Sequence, residues 1–191
     1  MAMASRLAAL LLVLAVASSA CAALAHGRHH DDLPARTTTN LTRSTVAGGS
    51  DDDCAYVMYF KTGSMHEAGT DAVISMQLSS GDWGNSLLVD DLPAWGGLME
   101  KGHDYFEQGS LDAIAGLGPC MVPCWLRLVS DGTGVYPGWF LDTVEVTVTG
   151  PGRRGCGQYL FDVKKWLSAD VAPYVLEVFV NRCSGNHGAV A

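Results

Sequence analysis

A chain of 191 residues can bury one sizeable core but has no room for a large catalytic domain beside it. Its 20 acidic against 12 basic residues give a formal charge of −8. With no Lys/Arg stripe, that balance argues against nucleic acid, whose phosphates demand clustered cations, and against simple electrostatic adhesion to anionic lipid. Membrane contact would need apolar insertion or a bridging cation.

In chain order, the first element is a leader. Arg6 precedes an apolar run over 7–17, and Ala23-Leu24-Ala25 has the small-x-small form of a cleavage site, so residues 1–25 read as a secretory signal peptide. The run is too short to span a bilayer, which takes about 20 residues. Residues 26–53 are polar, aperiodic and end in Asp51-Asp52-Asp53, so they read as a disordered lead. That lead carries the sequon Asn40-Leu41-Thr42, with Asn40 as an N-glycosylation acceptor. Its His29-His30-Asp31-Asp32 cluster reads as solvated charge, because four neighbours on a flexible segment fix no ligand geometry.

From Cys54 onward the signals are mostly strands. Aromatic and β-branched runs over 55–61, 71–80, 85–90, 125–130, 138–149 and 174–181 are broken by Gly/Pro turns, which predicts an antiparallel sandwich. Within 138–149, Phe140, Val144, Val146 and Val148 share one parity, so Trp139 and Leu141 are expected on the opposite face. A short helix is predicted over 162–168, with Asp162 as N-cap before Val163, Trp166 and Leu167. Residues 184–191 read as an unordered tail.

The chemistry-bearing patterns point away from catalysis. No serine has glycines two residues either side, and there is no dinucleotide fingerprint, Walker loop or His-Glu-x-x-His. We expect no enzyme activity. Of six cysteines, Cys21 falls within the leader. The odd set Cys54, Cys120, Cys124, Cys156 and Cys183 reads as disulfide-forming in an oxidising route. Cys120 and Cys124 lack the Cys-x-x-Cys spacing of redox enzymes, and Pro119 and Pro123 suit a stapled loop. Lipid or partner contact is expected at Trp83 in its Gly-flanked turn, at Trp95 and Leu98 in the 93–98 loop, and at Trp139. Indole suits an interface because its ring is apolar while its N–H stays hydrated. Trp125 and Trp166 are assigned to the core.

Three ordered blocks sharpen the reading. The first is Gly69-Thr70-Asp71 running into a Val/Ile/Met strand. Tyr105-Phe106-Glu107-Gln108-Gly109-Ser110-Leu111-Asp112 and Gly138-Trp139-Phe140-Leu141-Asp142-Thr143-Val144-Glu145-Val146 follow it. In this order they resemble the PLAT/LH2 domain, the β-sandwich attached to lipoxygenases and lipases. The likeness is strongest to small plant stress proteins made of a signal peptide and one such domain, and it spans about residues 54–183.

The resemblance implies an eight-stranded antiparallel PLAT/LH2 β-sandwich with one short helix, monomeric and in the secretory pathway, at the endoplasmic reticulum or outside the cell. It implies a non-enzymatic module that binds membrane lipid or a protein and serves in abiotic-stress response. The alternative is an interaction domain that regulates a separate lipase or lipoxygenase without touching a membrane. In such a sandwich the first and last strands are neighbours, which implies a Cys54–Cys183 disulfide. Cys156 would then pair with Cys120 or Cys124, leaving one thiol free. Lipoxygenase-type relatives bind calcium through loop carboxylates and carbonyls. Gly69 and Asp71 match that loop, but Pro137 and Gly138 stand where the family places acidic residues. With Asp131 the available substitute, the implied calcium site is weak.

Overall fold

A computed structural model of the chain describes residues 53–81, 85–151 and 156–183. The expected leader, lead, Asn40, Trp83 and the 184–191 tail lie outside them. The chain divides into two compact units, residues 1–48 with 152–156 and residues 49–151 with 157–191. Of the first only Cys156 is described, and the second holds every described strand.

The period-2 pattern of an antiparallel sheet with one face in the core runs through the second unit. In β1 (Cys54–Thr62), Cys54, Tyr56, Met58, Phe60 and Thr62 are buried and alternate with part-exposed neighbours. β2 (Ile74–Ser79) buries Ile74, Met76 and Leu78, and β3 (Ser86–Val89) buries Leu87 and Val89. The remaining strands are β4 (Leu111–Gly118), β5 (Trp125–Ser130), β6 (Trp139–Thr149), β7 (Gly157–Leu167) and β8 (Glu177–Asn181). They form two four-stranded sheets, β4-β1-β6-β7 and β3-β2-β5-β8, with every recorded pairing antiparallel. The β-sandwich is as expected. No helix among the described residues is long and apolar enough to cross a membrane.

The one described helix, α1, is elsewhere than predicted. It spans Leu92–Gly96, with Pro93 in its first turn and the Asp91 carboxylate accepting the Ala94 N–H at 3.0 Å. Its Trp95 ring lies on Gly116 of β4, where a Cβ would come within 2.4 Å of the indole, so only glycine admits the contact. The helix and the following Leu98 N–H bond to Ala113 cover the outer edge of β4. Of residues 162–168, expected as a helix, 162–167 belong instead to β7, with Phe161, Val163 and Leu167 inward. So short a helix is marginal, whereas β6 supplies a partner along the whole length of β7.

A second correction concerns β6. Trp139 and Leu141 are fully buried, as are Val144, Val146 and Val148, despite opposite parity. The registers explain it. Lys61 faces Thr143 while Thr62 faces Leu141, so Asp142 is an extra residue that β1 does not match. One inserted residue flips every side chain beyond it, and the bulge puts both halves of β6 on the core side. Trp125 and Trp166, assigned to the core, are half-buried, against Phe179 and Phe140 respectively.

The cysteines also pair differently. Cys54 bonds Cys120 and Cys124 bonds Cys183, with Cα atoms 4.9 and 4.7 Å apart. β1 and β8 lie in different sheets, so the implied Cys54–Cys183 bridge does not form. Cys54 faces Gly118 across the β1–β4 ladder, two residues short of Cys120. Trp125 faces Asn181 across β5–β8, which brings Cys124 beside Cys183 just beyond the strand ends. Cys156 is disulfide-bonded as well, so none of the five thiols is left free.

Candidate functional site

Three loops meet at the end of the sandwich opposite those two disulfides: residues 63–73 after β1, 99–110 before β4, and 131–138 between β5 and β6. Backbone bonds lace them together, from Thr70 N–H to Phe106 O at 3.2 Å, from Asp71 N–H to Tyr136 O at 3.0 Å and from Gly109 N–H to Gly63 O at 2.8 Å. Beneath them lies an aromatic plug. The Phe106 and Trp139 rings are 4.8 Å apart, Phe60 touches both, and the Trp139 indole N–H donates to Thr62 Oγ1 at 3.0 Å. Trp139 therefore offers no contact surface, and its expected lipid or partner role is withdrawn. It serves as the floor on which the loops rest.

The 99–110 loop is held from below by Asp112, a fully buried carboxylate. It accepts the Phe106 N–H at 2.9 Å and the Ser110 hydroxyl at 2.5 Å, and His103 Nε2 lies 2.6 Å away. These contacts hold Phe106 at a φ of +65°, a left-handed conformation that a bulky side chain adopts only under such constraint. Phe106 is thereby turned inward while Asp104 and Glu107 on either side are exposed.

The result is a group of three carboxylates. Ligand oxygens of Asp71, Asp104 and Glu107 all lie within 4.8 Å of one another. Partial burial, then the neighbouring Asp104 and Asp71 charges, push Glu107 above the usual carboxylate range. Asp71 is also a loop cap, its Oδ2 accepting the Val135 and Tyr136 N–H groups at 3.1 and 2.9 Å. Gly69 lies against the backbone of Glu107 and Gln108, where a Cβ would meet the Gln108 nitrogen at 2.7 Å. The glycine thus permits the close approach of the first two loops. Asp131 stands apart from the cluster. It accepts the Val73 N–H at 3.1 Å and the Thr133 N–H at 3.0 Å, and the Thr133 bond above all holds it below the usual carboxylate range. Three hard oxygen donors facing solvent suit a divalent cation such as calcium, with loop carbonyls and water completing the shell.

Apolar side chains flank this group. Val135 is 80% and Tyr136 63% exposed, and Met65 and Val73 on the 63–73 loop are exposed as well. A cavity of about 280 Å³ opens next to Asp71 and Asp104, walled by Val73, Pro93 and Tyr105. Of the side chains expected to make contacts, Leu98 is exposed and Trp95 is half-buried on β4. Sequence reasoning missed Asp104, Glu107, Val135 and Tyr136 as site residues. Glu107 lay in plain view within the Tyr105–Asp112 block, but only the Phe106 conformation shows that it meets Asp71.

No protein-family model matches the chain. Curated proteins similar to it include PLAT domain-containing protein 2 of Arabidopsis thaliana, 41% identical over 145 residues, covering 74% of this chain and 78% of that protein. PLAT domain-containing protein 3 of the same plant is 46% identical over 96 residues, covering 49% and 92%. Lipoxygenase homology domain-containing protein 1 of Mus musculus is 33% identical over 128 residues, covering 64% and 6%. Among solved structures the chain resembles a coral 8R-lipoxygenase described as calcium-activated through a C2-like domain, at TM-score 0.49 and 22% identity, covering 66% of this chain and 16% of that one. On the extent and identity of the match to the Arabidopsis proteins, this chain belongs to the PLAT domain-containing protein family.

Proposed function

We propose that this protein is a non-catalytic binding module that seats the loop end of its sandwich on a membrane surface, with calcium held by Asp71, Asp104 and Glu107. The observation that carries the reading is the placement of exposed Val135 and Tyr136 beside that carboxylate group. The protein is acidic, so anionic headgroups repel it at long range. A cation held by the three carboxylates cancels local charge and leaves coordination sites for phosphate oxygens. Burying the apolar tips then adds roughly 1.5–3 kcal/mol per large side chain.

The test is vesicle co-flotation with phosphatidylcholine and with phosphatidylcholine–phosphatidylserine mixtures, with calcium and with chelator. Val135→Ser/Tyr136→Ser should abolish flotation with little change in stability, because both side chains already face water. Asp71→Asn should weaken calcium-dependent flotation. Calcium should also raise the melting temperature of the wild type, as any ligand selective for the folded state does. If calcium stabilises the protein but no vesicle floats, the loop end serves a protein partner and the lipid reading falls.

The proposal includes the secretory pathway as the setting, with residues 1–25 as a leader and 26–53 as a lead to the domain over 54–183. The disulfides are consistent with an oxidising compartment. A role in abiotic-stress response rests on the resemblance to plant stress proteins. N-terminal sequencing of protein recovered from plant secretory fractions checks the leader directly, since a mature start at Met1 contradicts it.

A further inference from the structure

We propose that the outer face of the β3-β2-β5-β8 sheet carries a second binding site, for a neutral, β-linked gluco-configured oligosaccharide. A cavity of about 230 Å³ lies there, at the disulfide-stapled end, lined by Gln77, Ser79, Ser86, Trp125 and Asn181 with the Cys124–Cys183 bridge at its edge. The ladder registers put Ser86, Ser79, Trp125 and Asn181 in one row across the sheet, since Ser79 faces both Ser86 and Trp125, and Trp125 faces Asn181. Gln77 stands on the same face two residues along β2, opposite Leu88 and Arg127. A second cavity of about 130 Å³ continues along the same face and shares Gln77.

The lining selects the ligand chemistry. Trp125 and Phe179 form an aromatic floor, their rings 5.8 Å apart. Arg127 stands over Phe179 at 5.8 Å and is locked to Glu177 by bonds of 2.7 and 3.1 Å. Arg127 thus flanks the Phe179 ring with its charge balanced by Glu177. Asp90 is the one other charged side chain among the described residues lining the two cavities, so the site disfavours an anion and suits a neutral ligand. Ser79 Oγ and Asn181 Oδ1 accept the Gly81 and Cys183 N–H groups, which leaves the serine proton and the asparagine NH₂ as donors. Among the described residues, the Gln77 amide, the Ser86 hydroxyl and the Trp125 indole N–H make no hydrogen bond.

An aromatic floor ringed by unspent donors and acceptors is complementary to a pyranose. The axial C–H groups of an all-equatorial ring lie flat on the indole while its hydroxyls reach the amides and serines. An acyl chain in the same place would strip Gln77, Ser86 and the indole N–H of water and return no partner. The volume falls below the roughly 300–1,000 Å³ of drug-sized sites, which fits single rings of a longer chain laid across the two cavities. The row lies one strand length from Asp71, at the opposite end of β2, so this site is independent of the loop end.

The test is titration of the full chain with cellotetraose, followed by the indole N–H signals in ¹H–¹⁵N NMR spectra, with sorbitol as a control polyol. The proposal expects saturable shifts with cellotetraose and none with sorbitol. Trp125→Ala should abolish the response. Gln77→Ala, on the part-exposed outer face and harmless to the core, should weaken binding about tenfold, as the loss of one hydrogen bond does. Asp71→Asn and chelator should leave it unchanged. No saturable shift up to about 10 mM cellotetraose, where even a millimolar Kd would show, overturns the proposal. So does binding that survives both Trp125→Ala and Gln77→Ala, and if Trp125→Ala does not fold, Gln77→Ala decides alone. Vesicle flotation is unaffected by any of these outcomes.

Discussion

The two ends of this sandwich are held by different means. At one end two disulfides clamp strand termini, Cys54 to Cys120 and Cys124 to Cys183, closing loops with sequence separations of 66 and 59. At the other end no described disulfide is present, and three loops depend on a buried aromatic plug, a buried carboxylate and a few backbone bonds. The difference follows from what each end presents. The acidic end gathers Asp71, Asp104 and Glu107 in mutual repulsion, so its order must come from below, from Trp139, Phe106 and Asp112. Among the described residues the stapled end carries no such cluster, and it is fixed covalently. A cation site of this kind tolerates adjustment of its loops, whereas a preformed cavity beside Trp125 gains from rigidity.

Breaking the plug gives the largest effect. Trp139→Ala should destabilise the protein by about 3–5 kcal/mol, because the side chain is fully buried and the cavity left behind cannot collapse onto rigid strands. Trp139→Phe should cost less, retaining ring contact with Phe106 but losing the bond to Thr62. Chemical denaturation reads both. A cost below about 1 kcal/mol for Trp139→Ala would mean that the loops do not rest on the indole.

Cutting one staple comes next. Cys124→Ser/Cys183→Ser should cost about 4 kcal/mol by the chain-entropy model, or roughly 10–15 °C in melting temperature. The loss should centre on β8, an edge strand of five residues whose recorded ladder pairs it with β5 alone. Hydrogen exchange should show β8 opening while β1 and β6 stay protected. Equal loss of protection in both sheets would remove the contrast between the ends.

How much of this was legible in the chain depends on distance along it. Strand existence was plain wherever alternation was local, as in β1, β2 and β5. It failed at Asp142, because an inserted residue in β6 is defined only against β1, and no parity count on a single strand reveals it. β7 was misread for a related reason: Asp162 followed by Val163, Trp166 and Leu167 fits a short helix until β6 offers a ladder. The cysteine pairing required knowing which strands share a sheet. Of the loop end, Gly69 and Asp71 were readable from the Gly-Thr-Asp turn. Asp104 and Glu107 were not, since their meeting with Asp71 depends on the left-handed turn at Phe106 that buried Asp112 enforces.

The smallest expected effect tests the repulsion at the acidic end. Glu107 is raised by partial burial and then by Asp104 and Asp71, so the folded protein holds its proton more tightly than the unfolded chain does. The sign follows: ionising Glu107 costs the folded state stability, a cost absent at low pH and growing as pH rises through the raised value. Glu107→Gln, neutral throughout, should therefore melt slightly higher than wild type at pH 7 without calcium. The gap should close as pH falls below the ordinary carboxylate range. Calcium should invert the order, since it stabilises the three-carboxylate protein more than a two-carboxylate variant. A Glu107→Gln protein that melts lower than wild type in chelator would show that Glu107 is held there by favourable contacts. The acidic end would then be ordered by its own hydrogen bonds, and the repulsion that a cation is proposed to relieve would not exist.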